Sequence, residues 1–207
     1  DLCDKYGLYV IDKANIERKN NKLFNGLNEI SVLIDEFIVL TKQQPVEKVS
    51  SKQYVLATLV KINALMTDVA IGKNISLAFT GDEMLTELDH IVASEKSLYL
   101  ILENVLSNAI KFSQHNGSVQ VKSSKLDGFL VIEISDNGCG FSSKDLSNIF
   151  TLYYRSENSH QYGGSGVGLT TTKQLIDELN GEIVFDKNSP CGTIVTIKIP
   201  LESHKKN

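Results

Sequence analysis

Between Ser94 and Ser135 the apolar residues of this chain change their period, and that change restricts the folds open to it. From Ser94 to Phe112 the spacing is helical, with Leu98, Leu102, Val105, Leu106, Ala109 and Phe112 placed to pack inward. Ser118–Ser123 then alternates through Val119 and Val121, and Phe129–Ser135 alternates through Leu130, Ile132 and Ile134. Asp127-Gly128 between them is a turn signal. The same mixture recurs on both sides. Upstream, Val46–Val49 reads as a short strand, Gln53–Val69 as a helix, and Ile75–Phe79 and His90–Ala93 as strands. Downstream, Val167–Leu179 reads as a helix, and Ile183–Phe185 with Thr193–Ile199 as a final hairpin whose turn holds Asn188, Pro190 and Gly192. Paired strands with three substantial helices predict a two-layer α/β sandwich, a mixed sheet covered by helices on one face.

Before this unit, Leu23, Leu27, Ile30, Ile34, Phe37, Val39 and Leu40 fall close to helical spacing, and Gln43-Gln44-Pro45 ends the pattern. Such a stripe needs a partner, either the following domain or helices of an intermolecular bundle. The expected organisation is a helical segment over residues 1–45, a cored domain over 46–201 and a polar tail over 202–207. At 207 residues and 42% hydrophobic content, one well-cored domain and a smaller element are affordable. The net charge is -4 with no basic block, which argues against nucleic acid as a partner. Cys3, Cys139 and Cys191 are odd in number and widely spaced, which favours a reducing compartment, and His90, His115, His160 and His204 are scattered without a zinc pattern. The start lacks the order of a signal peptide, and no apolar run reaches the roughly 18 residues that cross a bilayer. The chain is therefore expected to be soluble and cytoplasmic. Its opening at Asp1 suggests a fragment, with any membrane anchor in regions absent here.

Three short stretches carry chemistry. Gly163-Gly164-Ser165-Gly166-Val167-Gly168-Leu169 runs into a helix, so its backbone amides and the helix N-terminus can cradle a phosphate. It can equally be a flexible connection. Asn104, Asn108 and Lys111 share one helical face. They are either ordinary solvent-facing residues or an edge suited to a polyphosphate and a hard cation, which prefers oxygen ligands. Asp136-Asn137-Gly138-Cys139-Gly140 follows an apolar strand, which places a carboxylate to accept from an amino group in a pocket, although Asp-Asn-Gly is also a common turn. Residues 137–165, rich in Gly, Ser and Asn, are too long for an ordinary connector and look like a ligand-closing segment.

Together these stretches resemble the ATP-binding domains shared by sensor histidine kinases, DNA gyrase, Hsp90-type chaperones and MutL-type proteins, and within that family the histidine kinases. Leu102–Ser113 resembles their Asn box and Asp136–Gly140 their first Gly box. Ile149–Arg155 resembles their Phe box, Gly164–Leu169 their second Gly box, and Gly181-Glu182-Ile183 with Gly192-Thr193 the end of the same domain. The resemblance implies a Bergerat-type ATP-binding fold that uses ATP and Mg²⁺. It implies that Asn108 binds Mg²⁺, that Asn104 lies beside the cation, and that Lys111 contacts phosphate. Asp136 would recognise the adenine amine, with Gly138 and Gly140 shaping the pocket and Thr193 beside the base. Gly164, Ser165, Gly166, Val167, Gly168 and Leu169 would hold the phosphates. Tyr154 and Arg155 would act from the Phe box, beside Phe150 and Tyr153, for which lid packing is an equal reading.

The resemblance further implies transfer of the γ-phosphoryl group to a histidine and onward to the receiver domain of a response regulator, in a homodimer joined through a helical hairpin. Residues 23–42 resemble the second helix of that hairpin. No His precedes His90, so the acceptor is expected on a hairpin absent from this chain, which then cannot phosphorylate itself in the usual way. Gyrase-like members carry a hydrolytic Glu at the position of Asn104; here Glu103 sits one residue earlier, about 100° around the helix. A related ATPase, a Ser/Thr kinase of the same fold and an ATP-binding pseudokinase or scaffold are the competing readings.

Overall fold

The computed structural model describes Ile30 and residues 51–81, 84–94, 96–156 and 164–202. The chain divides into two compact units, Asp1–Gln44 and Pro45–Asn207. The helical reading of residues 23–42 and the strand expected at Val46–Val49 lie outside the described residues, apart from Ile30.

The second unit opens with β1 (Ser51–Tyr54), α1 (Val55–Gly72), β2 (Ser76–Gly81) and β3 (His90–Ala93). The helix expected from Gln53 starts two residues later. Gln53 and Tyr54 instead pair antiparallel with Ile91 and His90, and the Val55 amide donates to the Asp89 carbonyl at 3.0 Å. This two-stranded ribbon was not legible as a pairing, because its strands are four residues each and lie on either side of a helix. α1 is also a correction to the reading of apolar runs. Its 18 residues have a mean hydropathy of 1.5, long and apolar enough by that measure to cross a membrane. Lys61 and Asp68 interrupt the run, and Leu59, Ile62, Met66 and Ala70 on one face are buried. That face lies against β2 and the next helix, while Val60, Leu65, Val69 and Ile71 are exposed.

α2 (Ser97–Phe112) is followed by β4 (Ser118–Leu126) and β5 (Phe129–Asp136). Asp127 and Gly128 at the tip have φ of 52° and 81°, the left-handed pair that a two-residue hairpin requires, and Leu126 pairs with Phe129 beyond them. The loop that follows contains α3 (Ser143–Asn148). α4 (Gly168–Glu178), β6 (Glu182–Lys187) and β7 (Thr193–Pro200) complete the domain.

The five-stranded sheet has the order β2-β4-β5-β7-β6. Only β2 and β4 run parallel, so the sheet is mixed, as expected. Register stacks the apolar sets in rows: Val121 pairs with Ile134 and Ile134 with Val195, and Ile132 pairs with Ile197 and Ile197 with Ile183. These side chains are buried under α1, α2 and α4, whose inward residues include Ile62, Ile101, Leu102, Leu106, Ile110 and Ile176. Each such side chain contributes about 1.5–3 kcal/mol by leaving water. The opposite face carries Lys122, Glu133, Lys198 and Glu182, joined in exposed pairs. One covered face and one polar face make the two-layer sandwich.

Candidate functional site

Alternation along β5 buries Leu130, Ile132, Ile134 and then Asp136, so the strand's pleat delivers a carboxylate to the covered face at its C-terminal end. Asp136 is only 6% exposed. Its Oδ1 accepts the Gly138 amide at 2.8 Å and the Thr193 amide at 3.2 Å, and the Thr193 hydroxyl also bonds to the carboxylate. Burial pushes its pKa above the ordinary carboxylate value, and the donors from Gly138 and Thr193 offset only part of that. A buried acceptor held in place by backbone is suited to reading a neutral amino group.

The glycines around it are dictated by contact. A Cβ on Gly138 would meet the Phe112 carbonyl oxygen at 2.4 Å, and one on Gly192 would meet the Asp136 carbonyl oxygen at 2.0 Å. Gly140 lies against Gly192. Asn188 donates its Nδ2 to the Asp136 carbonyl at 2.7 Å, so the β6–β7 turn is fastened to this corner.

The polar face of α2 meets the glycine run. Asn104 is buried and donates Nδ2 to the Gly168 carbonyl at 3.3 Å, which holds α2 to the first turn of α4. Asn108, one turn on, is half-buried. Lys111 follows; its Nζ sits 2.7 Å from where a Gly164 Cβ would be, and Gly164 has a φ of +140° that L side chains rarely adopt. Ser165 accepts the Val167 amide on its hydroxyl at 3.3 Å; Val167 is buried, and Gly166 and Leu169 are half-buried. Gly163 lies outside the described residues. The structure therefore brings Asn104 to Gly168 and Lys111 to Gly164, with Asn108 between them along α2, and sets Asp136, Gly138, Gly140 and Thr193 together at the C-terminal end of α2.

The Phe-box residues are engaged elsewhere. Tyr154 donates its hydroxyl to Asp145 Oδ1 at 2.9 Å, and the Phe150 ring packs edge-on against Phe185. The Thr170 hydroxyl donates to the Phe150 carbonyl and the Tyr153 amide to the Gly166 carbonyl, both at 3.0 Å, so this stretch braces the glycine run. Arg155 is half-buried. Burial would raise the Asp145 pKa, but hydrogen bonds from Ser142 and Tyr154 outweigh it and hold the carboxyl below its ordinary range.

Two residues of this corner escaped sequence reasoning. Phe112, grouped with the inward apolar positions, is half-buried, with Lys111 Nζ 5.1 Å from its ring centroid. Its place after Asn108 and Lys111 at the helix end was the available signal. Lys73, after α1, donates Nζ to the Lys111 carbonyl at 3.4 Å, and burial lowers its pKa. Nothing in sequence joins Lys73 to Lys111. Glu103 lies beside Tyr99, whose phenol burial and then the Glu103 charge push up, so it faces away from the row that holds Asn104. Two hollows of ≈ 360 and ≈ 300 Å³ are both lined by Lys122 and Glu133, and the second is also lined by Asp136, Asn137 and Asn188, so it reaches the Asp136 corner.

A mixed sheet under three long helices, with a buried acidic corner and a glycine-covered Asn-Lys face, defines a nucleotide-binding α/β sandwich. The profile of the family described as "Histidine kinase-, DNA gyrase B-, and HSP90-like ATPase" matches residues 93–203, and the chain belongs to that family. Within it the chain has the catalytic domain of a sensor histidine kinase. Sensor protein CiaH of Streptococcus pneumoniae serotype 4 is 34% identical over 118 residues, 56% of this chain and 27% of the relative. This chain thus spans about a quarter of the length of that curated relative. Among solved structures, full-length ShkA in complex with AMPPNP aligns with a TM-score of 0.72 at 20% identity, covering 95% of this chain and 40% of that one. Histidine kinase ThkA in complex with the response regulator protein TrrA aligns with a TM-score of 0.67 at 18% identity, covering 98% and 55%. At those identities the structures speak for the fold.

Proposed function

We propose that residues 46–201 bind ATP with Mg²⁺ and pass the γ-phosphoryl group to a histidine outside this sequence, for onward transfer to the receiver domain of a response regulator. The observation that carries the reading is the meeting of a buried amine acceptor, Asp136, with a polar helix face under a glycine run. Asp136 accepts the exocyclic amine of adenine, Gly138 and Gly140 keep the turn close without a side chain in the way, and Thr193 lies beside the base. The half-buried Phe112 ring offers a stacking platform, worth about 1–3 kcal/mol for a base on an aromatic. Lys111 neutralises phosphate charge, and the amides of Gly164–Leu169 with the α4 N-terminus complete the cradle. Asn104 holds α4 at the right distance, Tyr154 braces the loop through Asp145, and Arg155 supplies a further cation at its end.

The donor set fits Mg²⁺. Among the described residues no group of three or more His, Cys, Asp or Glu could hold a metal by itself, so Asn108 would give its amide oxygen alongside phosphate oxygens. When bound, the cation neutralises the charge of the transferring group. The protein's own part is to hold that group in line with a nucleophile that needs no added base, an imidazole. His90 is a poor acceptor, being 2% exposed with Nδ1 on the Leu88 carbonyl at 2.9 Å. The apolar stripe of residues 23–42 supports a homodimer, and the relatives support a cytoplasmic site of action.

The test mixes the chain with separate proteins carrying a histidine-bearing helical hairpin, adds γ-labelled ATP and Mg²⁺, and measures acid-labile label. Label on a hairpin histidine, lost in Asn108→Ala, is the expected result. Nucleotide binding without label on any hairpin would sink the kinase reading in favour of an ATPase or a scaffold.

A further inference from the structure

Cys139 and Cys191 are far apart in sequence, and both are exposed. The fold sets their loops side by side at the edge of the Asp136 corner. Cys191 donates Sγ to the Asn137 carbonyl at 3.7 Å. Its neighbour Gly192 packs so closely that a Cβ there would lie 2.8 Å from the Asn137 Cα, and a Cβ on Gly140 would lie 3.0 Å from the Gly192 carbonyl oxygen. The residues flanking Cys139 thus touch Cys191 and its neighbour. The Thr193 amide on Asp136 Oδ1 and the Asn188 Nδ2 on the Asp136 carbonyl hold the two loops in that relation.

We propose that Cys139 and Cys191 form a paired thiol site, closed to an intramolecular disulfide by a small-molecule disulfide such as oxidised glutathione, and that closure weakens nucleotide binding. The pairing stands on the loop geometry alone; the effect on nucleotide rests on the function proposed above. Disulfide formation needs Cα atoms about 4.4–6.8 Å apart, and the contacts of Cys191 and Gly192 with Asn137 and Gly140 set side by side the two loops that must close to that separation. Burial, then the charges of Asp136 and Asp145, push the Cys139 thiol up; Cys191, exposed and with its Sγ already at the neighbouring loop, is the first thiol to react in the proposed sequence. The Cys191 thiolate attacks one glutathione sulfur, its S–S bond breaks, and one glutathione leaves as thiolate. Cys139, losing its proton to solvent, attacks Cys191 Sγ in the mixed disulfide and releases the second glutathione. Two protein thiols are oxidised by two electrons and one glutathione disulfide is reduced to two thiols. In a reducing compartment such a bond is transient, as in redox sensing. Closure draws the 137–140 turn toward the β6–β7 turn and disturbs the two amide bonds that aim the Asp136 carboxylate.

The test uses the full chain with Cys3→Ser, which removes the third thiol, either reduced with dithiothreitol or incubated with oxidised glutathione. Intact mass, a non-reduced peptide map and titration with a fluorescent ATP analogue and Mg²⁺ are read on both samples. Expected are a loss of about 2 Da, a peptide joining Cys139 to Cys191, and an affinity drop of about tenfold that dithiothreitol reverses. Cys139→Ser and Cys191→Ser each remove the joined peptide and the drop. Mixed glutathione disulfides with no joined peptide would overturn the pairing. A joined peptide with unchanged affinity would overturn the control of nucleotide binding. If the reduced protein ignores the analogue, the ATP reading fails, while the peptide map still decides the pairing.

Discussion

Asp136 concentrates a conflict between folding and binding. Its raised pKa means the native chain holds that proton more tightly than the unfolded chain, so stability present at low pH is lost as pH rises through the raised value. Asp136→Asn removes that cost and keeps an oxygen for the Gly138 and Thr193 amides. We expect its melting temperature to be unchanged or raised, by about 2–4 °C per kcal/mol, while ATP affinity collapses because the amide adds donors where the base presents one. Calorimetric unfolding and nucleotide titration on the same sample check both halves. For the wild type, affinity should begin to fall with decreasing pH above the ordinary Asp value of about 3.9, since protonation removes the acceptor. Thr171 and Thr172 make a second residue-scale case: both hydroxyls are buried and without a hydrogen-bond partner. Thr172→Val exchanges an unsatisfied hydroxyl for a methyl of similar size and should stabilise the domain by about 1 kcal/mol. Urea denaturation that shows destabilisation instead would place a buried water on that oxygen. At this scale Asp136 was visible in sequence because it ends an apolar strand inside a Gly-rich turn; its burial on the covered face came with the structure. Phe112 and Lys73 were not visible, since their roles depend on what another element brings to them.

Elements with a local signal were legible, and those defined by partners were not. The hairpin of β4 and β5 is written in its alternation and in Asp127-Gly128, whose left-handed backbone the turn needs. α3 also had a signal, Ser142-Ser143-Lys144-Asp145, a capping box hidden inside a stretch read as loop. Its box is complete: Asp145 receives the Ser142 hydroxyl and amide, and Ser142 Oγ receives the Asp145 amide at 3.1 Å. Ser142→Ala should cost about 0.5–2 kcal/mol in that helix and release Tyr154 from a well-aimed Asp145. Hydrogen exchange of residues 143–154 should then quicken while the sheet amides keep their protection. β3 was legible as the short strand His90–Ala93, but β1 was not: Gln53 and Tyr54 read as the start of a helix, and only pairing with β3 makes them a strand.

For the whole molecule, the proposed site is shared among α2, the end of β5, the start of α4 and the β6–β7 turn, so a ligand there should couple them. At about 100 times its dissociation constant, Mg²⁺-ATP should stabilise the fold by about 2.7 kcal/mol, seen as a concentration-dependent rise in melting temperature. Asn108→Ala should remove the Mg²⁺-dependent part of that rise and leave the apo protein's melting temperature within about 2 °C, since a half-buried polar side chain carries little packing. The sequence by itself determined the sandwich class and the order of the major elements, and it singled out the stretches proposed to carry chemistry. Period, turn residues and strand-end carboxylates are local consequences of the backbone, readable without a partner. Tertiary structure decided the rest: that Asn104 bonds to Gly168, that Lys111 fills the space left by Gly164, that Gly192 presses on Asp136, and that two cysteines share one rim. Each of these depends on distances between segments far apart in the chain, set only when the helices pack on the sheet and exclude water between them.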